Sequence, residues 1–383
     1  MPWPLAVPSL NCIDKLKACA WMLRSSHWTQ GAEVRAYEQR WEEYTNSPHA
    51  IMVSSGSAAN HLIALRRKYE LEQAGQWPER NKVIFPAVTW VSSVSPWLQL
   101  GFEPVFMDVG GNLCSDWENV EAVITKPGVG TLFYTTLLGL TSPLEKILAL
   151  CSTHQVAFLM DNCESSHSTL PNGNHFCALT TSSTSFYFSH HTSGDQEGGM
   201  IFCANDEEAV WYRMARNHGM TRGAPSHYHN PKCDPAFDFH LAGSNHRSTN
   251  LLAYLASLNF DRALAFAPER THLSKIFTKS LDPELYELPH THLNGAVPLA
   301  LPILARDTNR TTINRVKGIL RANAIEYRPI IGGNLLYHTA FGKYGWALDF
   351  PRATHIHNNG LYIGLHKGVT ERMIARLTPL LNS

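Results

Sequence analysis

The first two hundred residues alternate short β-rich runs with segments in which apolar residues recur at helical spacing. The runs with strand character are HAIMVSS, KVIFPAVTW, EPVFMDV, GTLFYTTLLG, VAFLMDNC, STSFYFSHH and GGMIFCA. Most of them are separated by a helical pattern, such as GSAANHLIALRRKYELEQAG after the first run. This alternation predicts an α/β fold whose sheet is mostly parallel and whose strands are joined by crossover helices.

The pattern changes at about residue 250 of the 383 residues. The segment LLAYLASLNFDRALAFAPERTHLSKIFTKSL predicts one long helix, and shorter strand and helix patterns follow it. We therefore expect two domains. An N-terminal arm and a large domain occupy residues 1–255, and a bridging helix with a small α+β domain occupies residues 256–383.

Charge and hydropathy exclude several classes of partner. The formal net charge is zero, so no overall basic field draws the chain to nucleic acid or to anionic lipid. The N-terminus MPWPLAVPSL lacks the pattern of a secretory signal, and no stretch approaches the ~18 apolar residues of a membrane helix. We expect a cytoplasmic enzyme with no nucleic-acid or membrane partner.

The cysteines and histidines do not form a familiar metal-binding pattern. The eight cysteines are scattered without a CxxC motif, which is typical of neutral thiols in a reducing compartment. Three HxH pairs would each share a face on a strand, but no carboxylate or cysteine nearby completes a ligand set. The pairs are His227/His229, His290/His292 and His355/His357. We expect no bound metal.

Polar residues follow several of the predicted strands, at the sheet edge where open α/β folds bind ligands. The turn SSGSAAN at residues 54–60 opens a helix, and its free amides with the Ser57 hydroxyl suit a phosphate. The same turn is equally explained as a simple helix cap. Trp90 ends the run KVIFPAVTW, where its indole either stacks on a planar ring or packs against the protein.

Two further strand ends carry reactive side chains. Asp161 lies in VAFLMDNC, directly after the apolar residues VAFLM, where its carboxylate either pairs with a protonated pyridine nitrogen or caps the strand. Ser185 begins the stretch SFYFSHH and lies five residues before His190. The chain thus carries four features in order: a phosphate-binding turn, an aromatic ring, an acid and a reactive strand end. This order is typical of a site for pyridoxal phosphate (PLP).

Ten short segments occur in the order found in a known family. They are WTQGAEVRAYEQRWEEYTN, SSGSAAN, FPAVTW, PVFMDV, DNCESSH, SFYFSHH, EGGM, RNHG, GSNHRST and IEYRPI. Together they make the chain resemble, over most of its length, the DegT/DnrJ/EryC1/StrS family of sugar aminotransferases and dehydratases. The resemblance implies the aspartate-aminotransferase-like (type I PLP-dependent) fold, with a large domain built on a mostly parallel sheet and a small α+β C-terminal domain.

The resemblance also implies roles for individual residues. Gly56, Ser57 and Ser185 would hold the cofactor phosphate. Trp90 would stack on the ring, and Asp161 would pair with the ring nitrogen. Glu164 occupies the position at which family members usually carry a glutamine, near the ring hydroxyl.

The GSNHRST segment implies a second chain. In the family, Asn245 and Arg247 of this segment would reach the phosphate held by the other subunit. The resemblance therefore implies a homodimer with shared active sites.

One departure from the family pattern concerns the reactive residue itself. Most members carry a lysine at the position of His190, and that lysine binds the cofactor covalently. SFYFSHHTSGDQEGG contains no lysine, and imidazole forms no stable imine with an aldehyde. Imidazole does move protons near neutral pH. We therefore expect non-covalently bound PLP or pyridoxamine 5′-phosphate (PMP), with His190 as the catalytic acid/base; counting from the start of the motif favours His190 over His191.

The lysine-to-histidine change is similar to that in the sugar 3-dehydratase branch, such as the GDP-4-keto-6-deoxymannose 3-dehydratases. This branch implies removal of the 3-hydroxyl of a nucleotide-linked 4-keto-6-deoxy sugar, with glutamate as amino donor, to give a 3-deoxy sugar for glycans such as O-antigen. A sister branch carries an iron–sulfur cluster held by closely spaced cysteines after an RNHG-like element. Only Cys233 follows that element here, which disfavours the sister branch.

Two alternatives remain open at this point. Besides a 3-dehydratase, the chain could be another amine-cofactor-dependent enzyme that acts on a keto sugar. It could also be a catalytically silent relative that binds a sugar nucleotide. The intact set of phosphate-binding residues argues against the silent relative. Trp28 and Arg328 are candidates for substrate contact, although each is equally explained by a structural role.

Overall fold

The computed structural model describes residues 2–289 and 295–383, so the pair His290/His292 lies outside the described residues. The helices are α1 (Cys12–Arg24), α2 (Ala32–Thr45), α3 (Gly56–Gln73), α4 (Ser95–Gln99), α5 (Trp117–Ile124), α6 (Glu145–Thr153), α7 (Asp206–Ala215), α8 (Asn250–Ser280), α9 (Thr311–Ala322), α10 (Pro351–Asn359) and α11 (Glu371–Leu381). The strands are β1 (His49–Val53), β2 (Lys82–Pro86), β3 (Glu103–Met107), β4 (Val129–Thr135), β5 (Ala157–Asp161), β6 (Ser182–Ser185), β7 (Gly199–Cys203), β8 (Tyr286–Glu287), β9 (Ala300–Ala305), β10 (Tyr327–Pro329) and β11 (Gly360–Gly364).

Seven strands form one large sheet in the order β1-β7-β6-β5-β4-β2-β3. The pairs β2/β3, β2/β4, β4/β5 and β5/β6 are parallel, and β7 runs antiparallel to both of its neighbours. Apolar clusters cover both faces, because α5 and α6 pack on one side while α3 and α7 pack on the other. Burial on both faces explains the continuous apolar strands. The predicted α/β fold with a mostly parallel sheet is confirmed.

The run STSFYFSHH is only partly a strand. Its ladder with β7 ends at the pair Ser185 and Gly199, and one further backbone hydrogen bond runs from the Phe186 amide to the Gly198 carbonyl at 2.9 Å. After Ser185 the backbone folds into a turn in which the His190 amide donates to the Tyr187 carbonyl at 2.8 Å. His190 therefore lies in a loop beyond the sheet edge, and the extension of the strand through this residue is wrong.

Four strands form a second, antiparallel sheet in the order β10-β11-β9-β8. Helices α8, α9 and α11 supply its apolar core, and Trp3 from the N-terminus joins the same cluster. The predicted domain boundary after residue 255 falls within α8, which runs from Asn250 to Ser280 as one helix. The division into domains at that residue stays a prediction.

Residues 2–289 and 295–383 contain neither a membrane-spanning helix nor a metal-binding cluster. No helix there is both long and apolar enough to span a bilayer. No group of three or more histidine, cysteine or acidic side chains there is arranged to hold a metal ion. His355 and His357 lie in α10, where residues two apart point to different sides of the helix.

Candidate active site

The carboxyl ends of β5 and β6 meet the N-terminus of α3 and the segment after β2 at one edge of the large sheet. Polar side chains concentrate there, as expected at the ligand-binding edge of a parallel sheet. Asp161 ends β5, and Ser185 ends β6 beside it. This edge is the candidate active site.

The N-terminus of α3 forms a cradle for an anion. Ser55 caps the helix by accepting the Ala58 amide at 3.0 Å, which leaves the amides of Gly56 and Ser57 without partners inside the helix. A Cβ at Gly56 would lie 2.8 Å from Ser185 Cβ and 2.9 Å from Cys163 Sγ. Only glycine therefore lets the helix end approach Ser185 so closely. Amides, helix dipole and two hydroxyls together suit a phosphate.

Asp161 is fixed by three hydrogen bonds. Asn60 Nδ2 and Ser93 Oγ both donate to its Oδ2 at 2.7 Å, and the Cys163 amide donates to its Oδ1 at 3.0 Å. Asn60 is itself oriented by Ser183, whose hydroxyl donates to Asn60 Oδ1 at 2.5 Å. Only 3% of Asp161 is exposed. Its carboxylate is thus held in one position, which suits a partner for a ring nitrogen.

Trp90 lies four residues beyond the end of β2, just before a short 3-10 turn. Its residue surface is 55% exposed, which is unusual for the largest apolar side chain. An indole exposed at this edge of the sheet is available to stack on a planar ring. The structure therefore keeps stacking possible, whereas a core-packing role for Trp90 does not fit.

Glu164 lies in the loop after Asp161. Its Oε2 accepts the Leu138 amide at 2.8 Å. Burial is the largest effect on this group and raises its pKa to about 8, and the charge of Asp161 acts in the same direction. At neutral pH Glu164 is therefore a protonated carboxyl that can donate a hydrogen bond, much as a glutamine does.

His190 lies in the turn that follows β6. Its ring contacts Tyr187 edge-on, with the ring centroids 5.8 Å apart. Burial lowers the pKa of His190 to about 4, against a smaller opposing effect from the Ser185 backbone and the charge of Asp161. The imidazole is therefore neutral at pH 7 and ready to accept a proton.

His191 points in another direction. Its Nε2 donates to the Val297 carbonyl at 2.9 Å, and its ring packs edge-on against His167 at 5.5 Å. Burial and the nearby Arg270 hold the pKa of His191 well below its usual value. These contacts explain His191 as a buried structural histidine, and they leave His190 as the imidazole on the cleft side.

Asn245 and Arg247 are exposed, and the backbone of Arg247 pairs with Val53, two residues before the Ser55 cap of the cradle. The Arg247 guanidinium donates to Asn217 Oδ1 at 2.9 Å and to Asn245 Oδ1 at 3.1 Å. Among the described residues it makes no hydrogen bond to Gly56, Ser57 or Ser185. Both side chains are therefore presented at the surface of the single chain.

The two substrate-contact candidates differ in position. Trp28 lies in the loop between α1 and α2, where its Nε1 donates to the Ser25 carbonyl at 3.0 Å. Arg328 lies on β10, directly opposite Tyr362 on β11. The described contact of Trp28 is thus local to its own loop, whereas Arg328 is part of the second sheet. Their roles as substrate contacts stay predictions.

Tyr362 is a site residue that sequence reasoning missed. Burial raises its pKa to about 12; the charge of Glu164 adds to this shift, and the charge of Arg328 opposes it. Tyr362 therefore lies close enough to Glu164 for their charges to interact. The one available signal was the strand pattern GLYIGL, in which tyrosine alone is polar-tipped.

These residues fit a planar pyridine ring that carries a phosphate. A cradle of free amides lies at Gly56, where an added Cβ would fill the space next to Ser185. A fixed carboxylate lies at the end of the adjacent strand, and an open indole lies at Trp90. Neither a side-chain amine nor a lysine follows Ser185 in the loop, so a ring held here is held by non-covalent contacts.

Comparison with known proteins gives the same result. The model of the DegT/DnrJ/EryC1/StrS aminotransferase family matches residues 12–381. A curated relative, GDP-4-keto-6-deoxy-D-mannose 3-dehydratase of Yersinia pseudotuberculosis, is 28% identical over 368 residues, covering 92% of this chain and 91% of the relative.

Solved structures agree with the family match. Escherichia coli GDP-4-keto-6-deoxy-D-mannose-3-dehydratase with bound hydrated PLP is 25% identical, with a TM-score of 0.89 and 99% of both chains covered. A GDP-4-keto-6-deoxymannose-3-dehydratase with a trapped PLP-glutamate geminal diamine is also 25% identical, with a TM-score of 0.88 over 99% of this chain and 100% of that one. The chain belongs to the DegT/DnrJ/EryC1/StrS aminotransferase family.

Proposed function

We propose that the chain is a lyase that uses PLP or PMP to remove the 3-hydroxyl of a nucleotide-linked 4-keto-6-deoxy sugar. The observation that carries this proposal is a partly buried histidine with a neutral imidazole in the turn after β6, at the position where the family places its lysine. The relatives named as 3-dehydratases support the reaction and the class of substrate. The relative trapped with PLP and glutamate supports glutamate as the amino donor.

The cofactor would be held by the cradle and the residues around it. Gly56, Ser57 and Ser185 would bind its phosphate, and Trp90 would cover one face of the ring. Asp161 would pair with the ring nitrogen, and Glu164, as a neutral carboxyl, would donate a hydrogen bond near the ring hydroxyl. When bound as PMP, the cofactor supplies an amine that reacts with the sugar ketone and a ring that accepts electrons.

His190 would act as the general acid and base of the reaction. As a neutral imidazole it would take a proton at a ring nitrogen from the amine-bearing carbon of bound PMP, and as imidazolium it would give that proton to the departing 3-hydroxyl, which leaves as water. One residue can perform both steps, because the first step leaves the imidazole protonated for the second. A lysine in this place would be engaged with the cofactor and would favour amino transfer, which is the physical reason for the histidine.

The proposal is tested by mass spectrometry of the reaction products. Purified protein, PLP and glutamate are incubated with 4-keto-6-deoxyhexoses linked to GDP, CDP or dTDP. We expect one of these sugars to lose one oxygen atom, with one 2-oxoglutarate and one ammonia formed per turnover. Gain of an amino group by the sugar would instead support an aminotransferase, and unchanged sugars would support a silent relative.

The finer parts of the proposal rest on the family resemblance. We place the reaction in the cytoplasm and the product in the synthesis of a glycan such as O-antigen. We also propose a homodimer in which Asn245 and Arg247 contact the phosphate held by the other subunit. Their exposure in the single chain supports this arrangement, as do the hydrogen bonds of the Arg247 guanidinium, which go to Asn217 and Asn245 and not to Gly56, Ser57 or Ser185.

Shared sites predict complementation between two inactive variants. We expect Asn245→Asp/Arg247→Glu and His190→Asn each to be inactive alone, because one damages phosphate binding and the other damages proton transfer. In a mixed dimer one of the two sites lacks both lesions, so equal mixing with full subunit exchange should restore about a quarter of wild-type activity. The measurement is turnover after exchange, with exchange followed by native mass spectrometry. Demonstrated exchange without returning activity would place Asn245 and Arg247 in their own chain's site.

A further inference from the structure

The turn at residues 193–196, which follows His190 in the same loop, is fixed against α8. Asn259 Nδ2 donates to the Ser193 carbonyl at 3.0 Å, and Gln196 Nε2 donates to the Leu252 carbonyl at 2.5 Å. A Cβ at Gly194 would lie 2.6 Å from the Ala256 nitrogen, so the turn sits directly on the helix backbone. The position of this turn therefore limits where the preceding His190 can lie.

Asp195, the outermost residue of this turn, contacts the N-terminus of the chain. Its Oδ1 accepts the Ser9 amide at 2.6 Å, and its Oδ2 accepts the Leu10 amide at 3.0 Å. Its backbone is left-handed, with φ 58°, and its amide donates to Ser193 Oγ at 3.0 Å. A carboxylate that accepts two amides from a segment 185 residues away is a tertiary anchor, not a local turn cap.

The other end of this N-terminal segment is anchored in the second sheet. Trp3 is 2% exposed, and it exchanges backbone hydrogen bonds with Ala324 at 3.0 Å and Glu326 at 2.9 Å. Its indole donates to the Gly364 carbonyl at 2.9 Å, and the Leu5 amide donates to Glu326 Oε2 at 3.0 Å. We call residues 3–10 the strap, since they join the second sheet to the turn at residues 193–196.

We propose that the strap, held by Asp195, positions His190 relative to the face of the second sheet that carries Arg328 and Tyr362. Asp195 is then a positioning residue for the reaction, and the proposal rests on the proposed role of His190. The strap enters the second sheet beside Glu326, two residues before Arg328 on β10. Its other end contacts Asp195, five residues after His190 in the loop that joins β6 to β7 of the large sheet. Its two anchored ends therefore connect the two sides of the cleft.

Three variants separate this role from a local one. Asp195→Gly keeps the left-handed backbone without strain and removes both acceptors. Asp195→Asn tolerates the same backbone and keeps one acceptor, so it is the conservative control. An insertion of about four Gly/Ser residues between Val7 and Pro8 leaves both anchors in place and only slackens the strap.

We expect Asp195→Gly and the insertion to lower kcat by about 10- to 100-fold, the order of loss caused by small misplacements of a catalytic group. The KM for the nucleotide sugar and the affinity for PLP should change little, because neither variant touches their contacts. Asp195→Asn should recover part of kcat. The double variant should be no worse than either single variant, since both remove the same coupling.

A second readout needs no activity. Hydrogen–deuterium exchange in the peptide covering residues 186–198 should rise in both Asp195→Gly and the insertion variant, while the peptide covering β4 stays unchanged. If the insertion leaves exchange in that peptide at the wild-type level, the strap does not act on the turn and the proposal is wrong. If exchange rises but the wild-type protein shows no dehydration, the coupling stands and the proposed function fails.

Discussion

Replacing His190 by asparagine is expected to lower turnover by about 100- to 10,000-fold, the usual contribution of a general acid–base group. Asparagine is close to histidine in polarity and keeps the turn, but it cannot take up or release a proton near pH 7. The cradle, Asp161 and Trp90 are untouched, so PLP affinity should remain. The measurements are kcat for dehydration and PLP binding followed by absorbance.

His191→Asn is the matched control for this variant. The structure assigns His191 to a buried hydrogen bond with the Val297 carbonyl at 2.9 Å, so its loss should reduce stability by about 1–3 kcal/mol while turnover of the folded enzyme stays substantial. Thermal unfolding and kcat separate these two effects. An inactive His191→Asn beside an active His190→Asn would show that the other imidazole carries the proton.

His190→Lys extends the same test to the identity of the residue. A lysine amine can react with the PLP aldehyde, so this variant should turn yellow with added PLP, and borohydride should fix the cofactor to the new lysine. Dehydration should be lost, because the engaged lysine returns the proton rather than assisting loss of the hydroxyl. A variant that stays colourless would mean that position 190 does not face the aldehyde.

The sequence was sufficient to find the large sheet. Each of the seven predicted β-rich runs overlaps one strand of that sheet, and six of these strands have the largely apolar pattern of strands buried on both faces, which is local in sequence; β6, with the sequence SSTS, is buried but polar. The ends of those strands were less well defined. β6 stops at Ser185 because β7 begins at Gly199, and the pairing partner that sets such an end is not local.

The contacts that fix the site depend on tertiary structure. Asp161 was recognisable at a strand end, but Asn60 and Ser93, which orient it, lie 101 and 68 residues away. Asn60 gave one signal, since it shares the buried face of α3 with Ile63 and Ala64. A polar residue on an apolar helix face needs a buried partner. Asp195 gave no comparable signal, because its partners are backbone amides near the N-terminus.

Asp161→Asn is expected to lower turnover by about 100-fold or more, the order of loss when one preorganised electrostatic group is removed from an active site. Without the carboxylate, a bound pyridine nitrogen loses the charge that keeps it protonated and the ring accepts electrons poorly. The fold should survive. If the amide oxygen of asparagine takes the place of Oδ2, the hydrogen bonds from Asn60 and Ser93 remain, and only that from the Cys163 amide is lost.

Glu164→Gln is the control that separates the charge of Asp161 from a general sensitivity of the site. Burial raises the pKa of Glu164 to about 8, so at pH 7 this carboxyl is neutral and glutamine reproduces both its shape and its charge. The Leu138 amide can donate to the glutamine oxygen as it does to Oε2. We therefore expect Glu164→Gln to remain active at pH 7. Above pH 8, where Glu164 of the wild type would ionise beside Asp161, the turnover of Glu164→Gln should change less with pH than that of the wild type. Full turnover in Asp161→Asn would show that the Asp161 carboxylate only caps the end of the strand. Equal losses in both variants would mean that the site responds to any change at this strand end, and the charge of Asp161 would no longer explain the chemistry.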